Sequence, residues 1–294
     1  MKRYNSIGEL LIDYREINNL SQSEFAEKIN VDTRTVQRWE RGETLIKNDK
    51  EEEIVIETYL PYQLIRNLNS QIAIPTFYDF RIRKYSTTEL ANDFPDAKWF
   101  KKEFYISNKN VRTIDYDYDI KHLKKFFEFQ QNIPRNILLA IRKAIEILPE
   151  INLIVTDDSG YYAGQSIIFP INEATFKKLK NREITEEEIT ANDIVNYKTQ
   201  KTAIFYNFDI AADNNYNTYY LINHILKFFN TLKETNYIYC SISTRYDSFE
   251  ANKQFGLNIV WKDEPKLNKM NLEIYPRFYE GTFKTFLDDM KLEA

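Results

Sequence analysis

The chain has 294 residues and a formal net charge of −4, and 43% of its residues are hydrophobic, including 20 Phe and 21 Tyr. This length exceeds that of one small module and is sufficient for two domains, each with its own core. The composition excludes an intrinsically disordered chain, and the mildly acidic balance excludes a protein that coats nucleic acid through bulk positive charge.

The first pattern in the chain is a pair of short helices within residues 21–42. Ser21 and Glu24 have the spacing of a capping box, which predicts that a helix begins there. Asp32 is a suitable N-cap for a second helix, and Gly42 is suited to end it in a left-handed conformation. The sequence therefore predicts two capped helices joined by a short turn.

The second of these helices, predicted over residues 33–41, has two different faces. Val36 and Trp39 mark the buried face. The opposite face presents polar and basic side chains to solvent, namely Thr33, Arg34, Gln37 and Arg38. A preceding amphipathic helix, with its apolar positions between residues 7 and 14, is expected to cover the pair.

Over residues 7–68 the sequence resembles the Cro/cI repressor-like family of helix-turn-helix domains, also called the XRE family. The resemblance is carried by Leu20-Ser21-Gln22-Ser23-Glu24-Phe25-Ala26, Val31, Val36 and Trp39-Glu40-Arg41-Gly42. It implies that the second helix docks in the major groove of double-stranded DNA. Members of the family usually act as homodimers on near-palindromic operators.

The resemblance also implies a role for each polar residue of the motif. Base edges would be contacted by Thr33, Arg34, Gln37 and Arg38, because Arg bonds guanine and Gln bonds adenine in the major groove. Phosphates would be contacted by Gln22 and Arg41. Arg15 and Glu40 occupy positions that form a structural ion pair in the family. A compact helical subdomain with no role in DNA binding is the alternative interpretation of the same pattern.

Charge alone does not choose between these interpretations, since residues 1–46 contain seven basic and eight acidic residues. Three of the seven basic residues lie on one helix, and this placement favours a role in DNA binding. Few phosphate contacts per monomer predict modest, salt-dependent affinity, which makes a dimer the natural binding unit.

Cysteine and histidine usage argues against disulfide and metal chemistry. Cys240 is the only cysteine and lies in an apolar run, so it is predicted to be a buried reduced thiol. His122 and His224 have no companions at ligand spacing, so no metal site is expected. No signal peptide and no apolar stretch of membrane-spanning length is recognisable, and the predicted location is the cytoplasm.

The pattern along the chain predicts three segments. Residues 1–69 form the helix-turn-helix domain, and Pro61 should begin its last helix. Residues 70–110 form a connecting segment packed by aromatic side chains, namely Phe77, Tyr78, Phe80, Tyr85 and Trp99. Residues 111–294 form a second domain that mixes helices and strands.

Within the second domain, helices are predicted at residues 123–129, 137–148, 173–180, 219–232 and 248–255. Strands are predicted at residues 153–156, 164–170, 202–211 and 237–244, with a closing pair formed by 258–261 and 271–275. The first two strands flank an Asp157-Asp158-Ser159-Gly160 turn, which is typical of a hairpin. The segment Glu186-Glu187-Glu188 is interpreted as the first turn of a further helix capped by Thr185.

This order of elements, with Phe255-Gly256-Leu257 ending the last internal helix, resembles the acyltransferase fold of the GNAT superfamily over roughly residues 111–290. The resemblance implies a turn of the type Gln/Arg-x-x-Gly-x-Gly/Ala whose amides bind the pyrophosphate of acetyl-CoA. Here Asp213, Tyr216 and Thr218 stand at its basic, first glycine and small positions. No glycine falls between residues 165 and 255. Asn252 stands where many members have a proton-donating Tyr.

The sequence thus predicts a multidomain protein, with an all-α helix-turn-helix domain followed by a GNAT-like α/β domain with a mixed sheet. The predicted function is that of a sequence-specific, dimeric DNA-binding transcriptional regulator. Its second domain is expected to serve dimerisation, small-molecule sensing or protein binding. It is not expected to be an enzyme, and no cofactor and no catalytic residue are predicted.

Two alternatives remain open at this point. One is an active N-acyltransferase that carries a DNA-targeting helix-turn-helix. The other is a structural protein whose helix-turn-helix mediates contacts with other proteins.

Overall fold

The computed structural model describes residues 1–87, 100, 110–130, 134–232, 234–245, 248–268 and 273–289, without the side chains of 125, 126 and 128–130. The chain divides into two compact units. The N-terminal unit comprises Met1–Asp93 with Asn268–Leu272, and the C-terminal unit comprises Phe94–Leu267 with Glu273–Ala294. Trp99 and most of the predicted connecting segment after residue 87 lie outside the described residues.

In the part of the N-terminal unit that the structure describes there are five helices, which are α1 (Ile7–Ile17), α2 (Gln22–Lys28), α3 (Thr33–Glu40), α4 (Asn48–Thr58) and α5 (Tyr62–Leu68). The first three begin at polar caps, since Ser6, Ser21 and Asp32 each accept a hydrogen bond from a backbone N–H of the first turn. Such caps stabilise a helix by about 1 kcal/mol each. Pro61 precedes α5 as its N-cap residue.

A small antiparallel sheet accompanies these helices. Its strands are β1 (Lys2–Tyr4), β2 (Thr76–Asp79) and β3 (Lys84–Ser86), in the order β1-β2-β3. Lys2 pairs with Tyr78, and Tyr4 pairs with Thr76. The sequence analysis did not predict these strands, because three or four residues are too few to show an alternating pattern.

The core of the N-terminal unit joins α1, α2 and α3. Apolar side chains from every helix are fully buried in it, namely Leu10, Leu11, Phe25, Ile29, Val36, Ile54, Leu64 and Ile65. The positions predicted to face inward therefore do so. Burying a side chain of this size stabilises the fold by about 1.5 to 3 kcal/mol before entropy is counted.

The C-terminal unit is built on a seven-stranded mixed sheet. The strands, in chain order, are β4 (Val111–Thr113), β5 (Leu153–Thr156), β6 (Tyr162–Pro170), β7 (Ala203–Ala212), β8 (Tyr237–Ser243), β9 (Leu257–Lys262), β10 (Lys266–Leu267), β11 (Glu273–Ile274) and β12 (Arg277–Gly281). The order in the sheet is β4-β5-β6-β7-β8-β12-β9, and β10 pairs with β11 separately. Only β7 and β8 are parallel among these pairs.

The described residues of this unit form the helices α6 (Tyr116–Gln130), α7 (Arg135–Ile147), α8 (Glu173–Lys180), α9 (Asn215–Thr231), α10 (Ser248–Gln254) and α11 (Lys284–Asp289). Three 3-10 turns lie between α8 and β7, at Glu186–Glu188, Ala191–Asp193 and Tyr197–Thr199. The crossover between the parallel strands is α9. It begins at Asn215 rather than at the predicted Tyr219, because the side chain of Asn214 caps it.

The prediction of a helical helix-turn-helix region followed by a mixed sheet with flanking helices is confirmed. Two details are corrected. The partner of β9 is β12, in which Phe278 pairs with Trp261. Of the predicted partner segment 271–275, Glu273–Ile274 pairs with Lys266–Leu267 instead, and residues 271 and 272 lie outside the described residues. The predicted helix turn at Glu186–Glu188 is a short 3-10 turn that follows Thr185, whose backbone N–H donates to Oε2 of Glu188 at 2.8 Å.

An aromatic cluster fills the space between this sheet and α9. Its buried members include Phe205, Phe228, Phe229, Tyr237, Tyr239, Phe255, Phe283 and Phe286. Many of the rings meet edge to face, such as Phe205 and Phe229 at 5.1 Å and 89°. Pairs of this kind contribute about 0.5 to 1.5 kcal/mol beyond area burial, which accounts for the high Phe and Tyr content.

Among the described residues, no helix is both long enough and apolar enough to cross a membrane.

Candidate functional site

The exposed face of α3 is the candidate nucleic-acid interface. Val36 and Trp39 are buried, whereas Arg34 and Arg38 are exposed on the other side of the helix. Thr33 and Gln37 are half-buried on that same side. The structure therefore brings the four residues predicted to contact bases together on one helical face.

The two residues predicted to contact phosphates flank this face. Gln22 is the first residue of α2, and Arg41 is the C-cap residue of α3. The Arg41 guanidinium donates to the backbone oxygen of Gln37 at 3.1 Å. Its side chain nevertheless remains 60% exposed.

A chain of side-chain hydrogen bonds runs behind this face. Arg15 and Glu40 form the predicted ion pair, with Nε–Oε1 and Nη2–Oε2 distances of 2.5 and 3.1 Å. Gln22 donates from Nε2 to Oε2 of Glu40 at 2.6 Å, and Gln37 donates from Nε2 to Oε1 of Gln22 at 3.1 Å. We call these four residues the Arg15–Gln37 relay. It connects the scaffold of the motif to the exposed face.

An acidic residue lies beside two of the arginines. Oε1 of Glu43 is 3.2 Å from Nε of Arg41, and Oε2 of Glu43 is 3.9 Å from Nε of Arg38. This contact follows from the end of α3, where Gly42 has φ of +69° and the N–H of Glu43 donates to the oxygen of Arg38. The sequence analysis missed Glu43, because its proximity depends on this left-handed turn.

Gly8 sets the position of α3 against α1. A Cβ atom at Gly8 would lie 2.5 Å from the backbone oxygen of Glu40 and 2.9 Å from that of Trp39. Both atoms are backbone, so they cannot rotate away. Only glycine permits this close approach, and the sequence analysis did not identify it.

In the C-terminal unit, the parallel strands β7 and β8 separate before either strand ends. Their pairing runs from Ala203–Tyr237 to Asn207–Ser241, whereas β7 continues to Ala212. Beyond Asn207, strand β7 pairs only with β6, and a bulge lies between those two strands where Asn207 and Asp209 face consecutive residues of β6. We call the unpaired region after Asn207 and Ser241 the strand opening.

Two carboxyl groups have raised pKa values near β7, namely Asp209 on the strand itself and Glu186 in the first 3-10 turn. Burial raises the pKa of Asp209 to about 7, although the amide of Gln165 donates to its carboxyl at 2.6 Å. Burial also raises the pKa of Glu186 to about 7, although the hydroxyl of Tyr206 donates to it at 2.6 Å. The charge of Glu186 further raises the pKa of Asp209. Both groups therefore change protonation near neutral pH.

The start of α9 carries its own carboxyl group. Oδ1 of Asp213 accepts hydrogen bonds from the side-chain amides of Asn214 and Asn217, at 2.9 and 2.7 Å. Tyr216 is exposed, and Thr218 is buried. A carboxylate at this point does not fit a phosphate group, which would be repelled by its charge.

The described residues contain no group of three or more His, Cys, Asp or Glu side chains that could hold a metal ion. Cys240 is buried and free.

Residues 11–50 match the family model described as Helix-turn-helix. This segment is an XRE-type helix-turn-helix, as the sequence predicted. The match spans α2 and α3 together with most of α1. It supports DNA binding by the N-terminal unit. No curated protein sequence matches the chain.

Solved structures of acetyltransferases also match the chain. Arabidopsis thaliana Naa50, in complex with the bisubstrate analogue CoA-Ac-MVNAL, is 13% identical, with a TM-score of 0.37, over 58% of this chain and 97% of that one. Arylalkylamine N-acetyltransferase 2 from Aedes aegypti is 14% identical, with a TM-score of 0.34, over 60% and 100%. Ribosomal-protein-alanine N-acetyltransferase from Brucella melitensis is 9% identical, with a TM-score of 0.33, over 58% and 98%.

These matches correct one prediction. The sequence analysis concluded that the chain is not an enzyme, because Asp213, Tyr216 and Thr218 depart from the acetyl-CoA turn. The three solved structures named above are acetyltransferases, and the conclusion that the chain is not an enzyme was wrong. At identities of 9 to 14% the likeness concerns the fold and transfers no substrate.

Proposed function

We propose that the protein is a sequence-specific DNA-binding transcriptional regulator that acts as a homodimer on near-palindromic operators. The observation that carries this proposal is the exposed face of α3, where Arg34 and Arg38 stand opposite the buried Val36 and Trp39. The capped geometry of α2 and α3 holds that face rigidly, which is what base recognition in the major groove requires.

A dimer follows from the small number of basic residues. One helix-turn-helix contacts a half-site, and affinity from phosphate contacts falls steeply with salt. Two copies on adjacent half-sites add their contacts and supply the specificity that one lacks. The C-terminal unit would then serve dimerisation, ligand sensing or partner binding.

The test is substitution of the two exposed arginines. Arg34→Ala and Arg38→Ala should each weaken binding to a selected operator by about 1 to 3 kcal/mol, as loss of a base contact does. Fluorescence anisotropy measures this loss. Arg142→Ala is a matched control, since Arg142 lies on α7 with a side chain 53% exposed, against 50% for Arg38. Unchanged affinity in both test variants would contradict the proposal.

A second candidate function, N-acyl transfer by the C-terminal unit, is favoured by the strand opening and by Asp209 beside it. An amine acceptor must lose a proton to become a nucleophile, and a carboxyl group with a pKa near 7 is suited to accept that proton. Asp209 would hold the proton, and Gln165 would orient its carboxyl. Because Asp213 does not fit a phosphate, we assign no donor contact to the start of α9.

Calorimetric titration with acetyl-CoA tests this candidate. Micromolar binding, with a transfer rate that increases as pH rises through about 7, would support it. Asp209→Asn should lower kcat by about 10²- to 10⁴-fold and abolish that pH dependence. Glu187→Gln, an exposed neighbour of Glu186, is the control. The absence of any binding at millimolar acetyl-CoA would exclude this candidate.

A further inference from the structure

The Arg15–Gln37 relay fixes which atoms of two amide groups face each other. An ionised carboxylate has only acceptor oxygens. Glu40, held in its ion pair with Arg15, therefore requires the nitrogen of the Gln22 amide to face it. This leaves the oxygen of Gln22 on the other side of that amide.

The same constraint passes to the next amide. The Gln22 oxygen can only accept, so Gln37 must present its nitrogen to it, as the 3.1 Å hydrogen bond shows. The Gln37 oxygen is then the end of the relay. Among the described residues, no N–H or O–H group donates to this oxygen, and Gln37 is half-exposed on the α3 face.

An isolated glutamine on a recognition helix can rotate its amide by half a turn at little cost. It then accepts from a base amino group or donates to a base carbonyl with similar ease. Gln37 differs because rotation would place its oxygen against the oxygen of Gln22. Its oxygen therefore stays directed away from Gln22, beside the second N–H of the same amide. The lost hydrogen bond and the repulsion between two acceptors oppose that rotation.

We propose that Gln37 recognises a base through an exocyclic amino group, and that Glu40 sets this preference through Gln22. The amino groups exposed in the major groove are N6 of adenine and N4 of cytosine, whereas guanine and thymine present carbonyl oxygens there. Gln37 is thus a specificity-determining residue, and Gln22 and Glu40 are its positioning residues. This inference rests on the proposed DNA-binding function.

The test begins with binding-site selection on the wild-type protein and on Gln37→Ala. The base pair whose preference disappears in Gln37→Ala is the pair that Gln37 contacts. Synthetic operators then replace the adenine or cytosine of that pair with an analogue lacking the exocyclic amino group. The wild type should lose about tenfold in affinity on this replacement, as one base contact is worth. The Gln37→Ala variant should lose nothing further.

A second variant separates readout from packing. Gln22→Ala removes the middle of the relay and leaves Gln37 free to rotate, so the amino-group deletion should cost this variant less than threefold. Thermal unfolding followed by circular dichroism confirms that each variant is folded. Arg34→Ala is the control. This variant should bind the operator more weakly, but removal of the amino group should lower its affinity by the same factor as in the wild type.

Several results would overturn the inference. They are a wild type that tolerates amino-group deletion at the pair identified, a Gln37→Ala variant with unchanged base preferences, and a Gln22→Ala variant that keeps the full tenfold cost. A wild-type protein that selects no DNA sequence at all would instead overturn the proposed function, and this inference with it.

Discussion

Glu43 lies within ion-pair distance of Arg41 and near Arg38 on the proposed DNA-binding face. DNA must displace these contacts before either arginine can bond a base or a phosphate. Exposed ion pairs of this kind contribute about 0 to 1 kcal/mol. Under the proposed function, Glu43 should therefore oppose DNA binding in two ways, by occupying the arginines and by repelling the phosphates.

We predict that Glu43→Gln tightens operator binding by about two- to fivefold at low salt, which corresponds to less than about 1 kcal/mol. Anisotropy titrations at two salt concentrations measure the change, and the gain should shrink at the higher one. Glu16→Gln, at an exposed position of α1, should leave affinity unchanged. Weaker binding by Glu43→Gln would show that the carboxylate itself contacts DNA.

The carboxyl groups of Glu186 and Asp209 predict how stability depends on pH. Folding raises the pKa of Glu186 from 4.5 and that of Asp209 from 3.8 to about 7, so the folded chain retains protons that the unfolded chain releases. The free energy of unfolding should therefore fall as pH rises from about 4 to about 7. Above that range these two groups add no further change.

Urea unfolding at pH 5 and pH 8 measures this effect. Replacing both groups, with Glu186→Gln and Asp209→Asn, should reduce the fall between the two pH values by about 1 to 3 kcal/mol relative to wild type. Glu187→Gln should keep the wild-type difference. If the double variant shows the same difference as wild type, the two groups do not titrate as described.

At the residue scale, sequence patterns predicted which side chains of α3 are exposed. That is possible because helical periodicity and caps are local properties of the chain. The contacts that orient or neutralise those side chains were not predictable. Gln22 and Gln37 are 15 residues apart and meet only through packing of α2 on α3, and Glu43 depends on the turn at Gly42.

At the scale of elements, the contact between α1 and the end of α3 determines where the DNA-binding face lies. Gly8 lets the two helices approach so closely that a Cβ atom at this position would lie 2.5 Å from the backbone oxygen of Glu40. Glu40 is also part of the Arg15–Gln37 relay. A displacement of α3 at this point would therefore change both stability and readout.

We predict that Gly8→Ala destabilises the N-terminal unit by about 1 to 3 kcal/mol, the usual cost of overpacking. The higher helix propensity of Ala should stabilise the helix by about 1 kcal/mol. A net loss of stability would therefore come from the steric clash. Thermal unfolding followed by circular dichroism records it. Glu16→Ala on the same helix is the control and should stay within about 0.5 kcal/mol of wild type. A stabilised Gly8→Ala variant would mean that the helices separate at no cost.

Sequence patterns predicted the helices of both units better than the strands. The capping residues Ser21, Asp32 and Asn172 mark helix starts within a few residues, whereas β1 and β2 pair across more than 70 positions. Pairing at such a distance leaves no local signal. The partner of β9 was wrongly predicted for the same reason. Both candidate partner segments are short, and neither has a local pattern that marks it as the partner.

At the scale of the whole molecule, the proposed regulator requires two copies on one operator. Half-sites should then be centred about 10 base pairs, or one helical turn, apart, with two protein chains bound per operator. Binding-site selection gives the spacing, and sedimentation of the complex gives the stoichiometry. A single half-site bound by one chain would contradict the dimer.

The candidate site of the N-terminal unit was easier to recognise from sequence than the carboxyl groups of the C-terminal unit. The caps and the turn of the helix-turn-helix were recognisable within residues 21–42, and its ion pair adds Arg15. The two carboxyl groups with raised pKa values in the C-terminal unit were not recognisable as a site, since Glu186 belongs to a run interpreted as a helix start. Their raised pKa values arise from burial between elements, which no local pattern reports.

The order of strands in the large sheet also bears on how the chain is made. Strands β4 to β8 lie side by side in the order of synthesis, but β12 is inserted between β8 and β9, although it follows both along the chain. Before β12 has been synthesised, β9 lacks its partner strand in the sheet, and the edge of β8 that faces away from β7 is unpaired. The sheet can be completed only after β12 (Arg277–Gly281) has left the ribosome. Until that moment, the nascent chain exposes an unpaired edge to chaperones and to other nascent chains.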